Sequence, residues 1–207
     1  MSTRHVTFEP LAPFGYDVIM CDPPWSFALR SEKGEAKSPQ AHYLCMSDDE
    51  ILALPVGTLA RRDCALFLWR TAPKLELALA CVRAWGFVYK TELVWRKVSE
   101  GGKVMMGPGY LARTCHESMI VATIGAPRFD HVPRSIFDGV RREHSRKPDE
   151  AYALVEGCMP RAFRADLFAR ERREGWDAWG YEAGHYNGEA STEPSVEPKA
   201  NEPDLFT

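Results

Sequence analysis

Two kinds of apolar pattern alternate along the 207-residue chain. Continuous apolar runs bounded by turn signals read as buried strands at Asp17–Cys21, Cys64–Trp69, Ser118–Ile124 and Phe163–Phe168. The stretch FVYKTELVWRK (Phe87 to Lys97) alternates apolar and polar residues and predicts a half-exposed strand, with Trp176–Trp179 as a last short one. Helix signals lie between the strands. In SDDEILAL, Ser47 is an N-cap with Glu50 three residues on, the spacing of a capping box, and Pro55 is placed to stop the helix. TAPKLELALACVRAWG carries Pro73 in its first turn and Gly86 at its end. Pro148 opens PDEAYALVEG, and Gly157 reads as its close. Strands alternating with helices predict an α/β fold with a mainly parallel sheet.

Two polar or glycine-rich stretches interrupt this order: Leu29 to Gln40 and Ser99 to Tyr110. Both read as mobile loops beside strand ends, where α/β proteins place binding and lid functions. From about Ala183 the chain turns to Glu, Pro, Ser and Asn. Such a segment buries too little to order itself. Residues 1–182 are therefore expected to form one domain and 183–207 a disordered acidic tail.

Charge changes this picture once it is divided. The chain carries a net −3, but residues 183–207 hold five acids and one base, so the remainder is close to +1. Its late arginines cluster at Arg128, Arg134, Arg141, Arg142, Arg146 and Lys147, then Arg161, Arg164, Arg170, Arg172 and Arg173. Either they form a solvated face or they offer a local phosphate-binding surface. The six cysteines are scattered without a C-x-x-C pair and the six histidines show no ligand spacing, which argues against a zinc site. The N-terminal residues have no apolar core of the signal-peptide kind, and runs such as CALFLW are too short to cross a bilayer. A cytoplasmic protein is expected.

The chemistry concentrates where the first strand ends, in YDVIMCDPPWSF. If Val18–Cys21 is buried, Asp22 opens the loop outside its carboxyl end, where open α/β sheets bind ligands. Pro23 and Pro24 fix two φ angles and remove two N–H donors, so acceptors dominate this rigid edge. Trp25 sets an indole beside it. Such an edge suits an amino group on a heteroaromatic ring, a poor nucleophile because its lone pair is delocalised. The Asp22 carboxylate and Pro23 carbonyl can hold both N–H bonds and favour a tetrahedral nitrogen, whose lone pair then points at an incoming electrophile. Trp25 can stack on the ring or wall the pocket. Positioning supplies much of the acceleration, and the proton can leave after attack.

Other segments extend the motif. HYLCMSDDEILALPV, ALFLWRTAPKLELALACVRAWGFVYKTELVWRK, GPGYLARTCHE, HSRKPDEAYALVE and LFARERREGWDAWGYE follow in order. Together with Asp-Pro-Pro-Trp they resemble the adenine-N6 methyltransferase family typified by the catalytic subunit of the eukaryotic messenger-RNA methyltransferase, which has many bacterial and phage members. The resemblance runs from about Tyr16 to Glu182. It implies a Rossmann-like S-adenosylmethionine-dependent methyltransferase fold with permuted motif order, the catalytic motif preceding the cofactor segment. That order accounts for the lack of an early G-x-G-x-x-G loop. By the same resemblance Asp22, Pro23, Pro24 and Trp25 are catalytic. Cofactor contacts fall to Asp22, Lys147, Phe168, Arg170, Arg172, Arg173, Tyr181 and Glu182, with Lys147 neutralising the cofactor carboxylate. The chain departs from the family pattern at Tyr181, where Asn is usual, and at Arg172 and Arg173, where the eukaryotic enzyme has His and Asn.

Substrate contacts are expected from Trp25, Tyr43, Tyr110, His116 and Glu117. A target adenine must leave its stack to reach Asp22, and aromatic and arginine-bearing loops suit an extruded or single-stranded base. The expected activity is S-adenosylmethionine-dependent N6 methylation of adenine in nucleic acid, DNA favoured over RNA because no added zinc-finger or RNA-binding module is present. The alternatives are an RNA adenosine methyltransferase, an enzyme acting on cytosine N4 or a protein glutamine, and a catalytically silent nucleic-acid-binding partner. The acidic residue of the motif favours adenine over the other amines, and an intact motif favours activity. The ending NEPDLFT resembles peptides that dock on bacterial sliding clamps, a further partner to test.

Overall fold

The computed structural model describes residues 6–25, 46–109, 111–142, 146–180, 183–184 and 187. Seven strands are present among the described residues: β1 (Tyr16–Cys21), β2 (Ala60–Arg70), β3 (Val88–Val98), β4 (His116–Ile124), β5 (Ile136–Val140), β6 (Arg164–Leu167) and β7 (Asp177–Trp179). They form one sheet in the order β5-β3-β4-β2-β1-β6-β7. Neighbours are parallel except around β4, which runs antiparallel to both β2 and β3. The mainly parallel Rossmann-like α/β sheet expected from the sequence is therefore present. Chain order reverses direction across the sheet at β1, with β2 on one side and β6 on the other. This is the switch point at which such sheets open a crevice.

Each face of the sheet carries its own apolar layer because side chains alternate along a strand. Ile19 and Cys21 of β1, with Leu66, Leu68 and Ile120, pack against Ile51 of α1 (Asp48–Leu52) and Ala78, Cys81 and Val82 of α2 (Leu75–Ala84). Val18 and Met20, with Phe67, Trp69, Trp95 and Met119, pack against Ala151, Tyr152 and Val155 of α3 (Asp149–Cys158). The near-continuous burial of β1 follows from this two-sided cover.

The helix signals locate the helices, with adjustments at their ends. Ser47 and Glu50 form both bonds of the capping box at the start of α1. That helix ends at Leu52, before Pro55, which instead precedes a short 3-10 turn. Pro73 lies in a 3-10 turn that leads into α2. Gly157 does not close α3. The helix runs on to Cys158 and Met159 caps it, because the backbone at Gly157 stays helical and helical hydrogen bonding reaches the Met159 N–H.

β5 has no counterpart in the sequence reading. Its residues IFDGV are exposed or half-buried except for Gly139, so no apolar run announces it. The strand exists because β3 supplies a parallel backbone edge. Gly139 permits the contact. A Cβ there would meet Trp95 Nε1 at 2.6 Å, and the same indole N–H donates to the Gly139 carbonyl at 2.8 Å. Among the described residues, no helix is long and apolar enough to cross a membrane.

Candidate functional site

The carboxyl ends of β1, β2, β3 and β6 and the start of β4 meet at one edge of the sheet. Asp22 leaves β1 there, its N–H donating to the Leu167 carbonyl of β6 at 3.2 Å. The prolines then turn the chain. The Trp25 N–H donates to the Pro23 carbonyl at 2.7 Å, so that carbonyl keeps one lone pair for a ligand. Pro24 accepts from the Met46 N–H at 3.3 Å, which ties the loop's end back to the chain.

Trp25 does not line the pocket. Its side chain is 4% exposed within the apolar core, and its indole N–H donates to the Trp69 carbonyl at 3.1 Å. That bond ties the Asp-Pro-Pro turn to the end of β2.

Asp22 is bound up in a chain of alternating charges. Lys147 Nζ lies 2.8 Å from Asp22 Oδ2 and 3.1 Å from Glu117 Oε2. Glu117 Oε1 is held in turn by Lys97 Nζ at 2.5 Å. Glu117, Trp95 and Lys97 share one face of the sheet by strand register, and Lys147 reaches that face from just before α3. His116, the adjacent residue, is exposed and points to the other face, so the sequence pair His116-Glu117 is split by the pleat. Burial is the largest single influence on Asp22, Glu117 and Lys147, but it prevails only at Asp22. Burial pushes the Asp22 carboxyl above its ordinary pKa, against the pull of Lys147. Burial would raise Glu117 as well, but Lys147 and Lys97 outweigh it and bring its pKa down to about 2. Burial opposes charge on Lys147, yet Asp22 and Glu117 hold it well above the usual lysine range. Removing one member of this partly buried set leaves an unmatched charge that water reaches only in part, so it costs more than losing the half-exposed Arg96–Asp138 pair on β3 and β5.

A pocket opens beside Asp22, lined by Trp69, Arg146, Lys147, Tyr152, Asp166 and the Phe168–Glu171 turn. Phe168 leaves β6 with φ +63°, a conformation a bulky residue adopts only when its surroundings impose it. Gly180 makes room for that turn. At its φ of +158° a Cβ would meet Phe168 Cα at 2.9 Å. Phe168 packs edge-on against Trp179 at 5.2 Å. Arg170 lines the pocket. Arg173 does not; it pairs with Asp149 and Glu171 and lies 4.0 Å from the Tyr152 ring centroid. Arg172 is exposed outside the pocket, its backbone N–H donating to Asn187 Oδ1 at 2.7 Å. Arg142 and Arg146 also converge on Glu171, so part of the late arginine cluster is an internal network. Tyr43, Tyr110, Tyr181, Glu182 and the Asp204-Leu205-Phe206 ending lie outside the described residues.

Six pocket residues are absent from the site expected from the sequence: Trp69, Arg146, Tyr152, Asp166, Ala169 and Glu171. Asp166 sits inside a buried strand, 4% exposed, accepting from Tyr152 Oη at 2.8 Å. Burial lifts its pKa to about 7, against the Tyr152 hydrogen bond and with the Asp22 charge adding to the rise. An acid within the apolar run Phe163–Phe168 was the available signal.

The pocket's chemistry suits an amino-acid-bearing nucleoside cofactor. Lys147 offers a cation for a carboxylate, Phe168 an aromatic wall, Asp166 and Arg170 polar contacts. Trp69 Nε1 is buried without a hydrogen-bond partner among the described residues, a donor that a ligand in this pocket could satisfy.

Known proteins resemble this chain in sequence. The chain is 32% identical over 178 residues to an N(6)-adenosine-methyltransferase MT-A70-like protein of Arabidopsis thaliana, covering 84% of this chain and 24% of that protein. It is 28% identical over 171 residues to the N(6)-adenosine-methyltransferase catalytic subunit METTL3 of Homo sapiens, covering 81% of this chain and 27% of that one. The chain thus spans about a quarter of the length of these relatives. It is also 30% identical over 197 residues to the type II methyltransferase M.MunI of a Mycoplasma species, covering 84% of this chain and 81% of that protein. The match to the MT-A70 family runs over residues 16–182, from the first residue of β1 past the end of β7, and so takes in Asp22, Glu117, Lys147 and Phe168 together: the chain belongs to the MT-A70 family.

Proposed function

We propose that this protein transfers a methyl group from S-adenosylmethionine to the N6 amine of adenine in nucleic acid, with DNA as the favoured polymer. The observation that carries the reading is the placement of Asp22: a rigid carboxylate at the switch point of the sheet, 2.8 Å from Lys147, at the mouth of a pocket bounded by Phe168 and Arg170. Support for DNA comes from the match along four-fifths of the Mycoplasma type II methyltransferase, against a quarter of the plant protein.

The cofactor would supply an electrophilic methyl group on a sulfonium sulfur. Lys147 would hold its carboxylate, and the Phe168–Arg170 turn with Asp166 its nucleoside portion. Asp22 and the remaining lone pair of the Pro23 carbonyl would accept the two N–H bonds of the adenine amine, directing the nitrogen lone pair toward the methyl. Asp22 must be ionised for this. Lys147 favours that form against the desolvation that opposes it. Glu117, held by Lys97, keeps Lys147 in place from the far side. Trp25 fixes the turn through Trp69.

The test is transfer of labelled methyl from S-adenosylmethionine to matched adenine-containing DNA and RNA, single- and double-stranded, with nucleoside analysis. N6-methyladenine in DNA, lost by at least a hundredfold in a folded Asp22→Ala variant, is the expected result. N6-methyladenine in RNA alone would select the RNA alternative. Near-full activity of Asp22→Ala would refute the mechanism. Absence of cofactor binding would favour the silent-partner alternative. Deletion of Glu202–Thr207 with unchanged affinity for a bacterial sliding clamp would dismiss the clamp contact.

A further inference from the structure

Between β3 and β4 the chain leaves the sheet and returns. Departure and return are both pinned to Lys97, whose N–H donates to the Cys115 carbonyl at 2.9 Å and whose carbonyl accepts from the Met105 N–H at 2.8 Å. The residues between close on themselves at a neck. The Gly107 N–H donates to the Thr114 carbonyl at 2.7 Å. Thr114 donates its own N–H and its hydroxyl to the Pro108 carbonyl, at 3.4 Å and 3.2 Å, and Arg113 Nε donates to the Gly107 carbonyl at 3.3 Å. Gly109 lets the turn above the neck tighten, since a Cβ there would meet the Ala112 carbonyl oxygen at 1.8 Å.

The neck holds out apolar side chains. Leu111 is fully exposed, at 104%, and Met106 and Val104 are 55% and 39% exposed. One exposed apolar residue on a surface needs no explanation. Here three share the segment Gly101 to His116, which also carries Lys103, Arg113 and His116 and has no acid. Cations beside exposed apolar groups match a nucleic acid, whose phosphates take the charge and whose base faces take the apolar surface.

The root of the loop ties it to Asp22. Lys97, which anchors both ends, holds Glu117 at 2.5 Å, and Glu117 is joined to Asp22 through Lys147 at 3.1 Å and 2.8 Å. A nucleotide whose amine lies at Asp22 therefore leaves its strand beside this loop. In a duplex that departure unpairs and unstacks the base and leaves a gap between its neighbours. Apolar side chains entering a base stack offset such a cost in other DNA-binding proteins.

Resting on the methyl-transfer reading above, with DNA as its polymer, we propose that Leu111 is a wedge that enters the stack of duplex DNA where the target adenine has left it, while Lys103 and Arg113 face the adjoining phosphates. Leu111 is then a positioning residue: it touches neither cofactor nor amine and favours the extruded state by filling the gap. A single strand, with no pairing partner to give up, depends on it less.

The experiment compares wild type, Leu111→Ala and Leu111→Met as full chains. The sequence that wild type methylates is first located by mapping N6-methyladenine in treated native and heat-denatured plasmid DNA. Then kcat/KM is measured on that sequence as a paired duplex, as a duplex with the target adenine opposite an abasic site, and as a single strand. The ratio of paired duplex to single strand is expected to fall about tenfold in Leu111→Ala and to stay within about threefold of wild type in Leu111→Met, which keeps a long apolar side chain. Opposite an abasic site the target is cheaper to extrude, and the deficit of Leu111→Ala should shrink to less than about threefold. Because Leu111 is fully exposed, its truncation removes no internal packing that could produce a loss confined to the paired duplex. An unchanged ratio in Leu111→Ala refutes the wedge, whether both activities persist or fall together. Wild-type activity on single strands or RNA alone would overturn it and leave the methyl-transfer reading intact. Transfer to none of these polymers would defeat that reading itself.

Discussion

Lys147 concentrates the logic of the site in one side chain. It neutralises Asp22 and is itself fixed by Glu117, at 2.8 Å and 3.1 Å respectively. Burial raises the pKa of Asp22 and Lys147 opposes that rise, so Lys147→Ala should raise it further. Methyl transfer that requires ionised Asp22 falls as pH drops through this pKa, and in Lys147→Ala the fall should begin at a higher pH. The same substitution should weaken S-adenosylmethionine binding by at least about tenfold, through loss of the charge-assisted contact to its carboxylate. A kcat–pH profile measured at saturating cofactor separates the two effects. An unmoved acid limb would remove Lys147 from the control of Asp22, and an unchanged dissociation constant would remove it from the cofactor.

At the scale of elements, two glycines that look alike in sequence have opposite duties. Gly157 lies within α3, and a Cβ there would meet nothing within 4 Å. Gly157→Ala should therefore stabilise the protein by about 0.5–1 kcal/mol through helix propensity. Gly180 follows β7 with φ +158°, and its missing Cβ leaves space for the strained Phe168 turn. Gly180→Ala should cost about 1–3 kcal/mol and also weaken cofactor binding by displacing Phe168. Urea unfolding of both variants checks the signs. Equal effects would mean that the turn after β6 yields freely. The elements themselves were legible to different degrees. β1, β2, β4 and β6 are buried on both faces and write continuous apolar runs, whereas β5 is an edge strand with one buried residue and writes nothing. The end of α3 was misplaced because a glycine in sequence does not state its backbone angle.

Across the whole molecule, buried acids pull stability in opposite pH directions. Glu117 has a folded pKa of about 2 against an ordinary 4.5, so its contribution is present above about pH 4.5 and is lost as pH falls toward 2. Asp166 has a folded pKa of about 7 against 3.8, so its contribution is full below about pH 4 and is lost as pH rises through 7. Asp166→Asn keeps an acceptor for the Tyr152 hydroxyl and removes the titration. Relative to this variant, wild type should lose up to roughly 4 kcal/mol between about pH 4 and pH 8. Chemical unfolding at both pH values measures the difference, and a constant offset would show that Asp166 does not titrate on this path.

The sequence alone carried the α/β order, the buried strands, the capping box at Ser47 and the Asp-Pro-Pro-Trp turn, because each rests on contacts or angles between near neighbours in the chain. It also pointed to Asp22, Glu117 and Lys147 separately. Tertiary structure decided what only distance in space can decide. It joined those three residues with Lys97 into one partly buried chain of charge, turned His116 away from Glu117, and buried Trp25 with its indole N–H on the Trp69 carbonyl. It brought Trp69, Tyr152 and Asp166 into the pocket wall as well. None of these outcomes is periodic or local, since a side chain's partner across a sheet depends on register and strand order, and a desolvated charge acquires its pKa from neighbours more than a hundred residues away, as Asp22 does from Lys147.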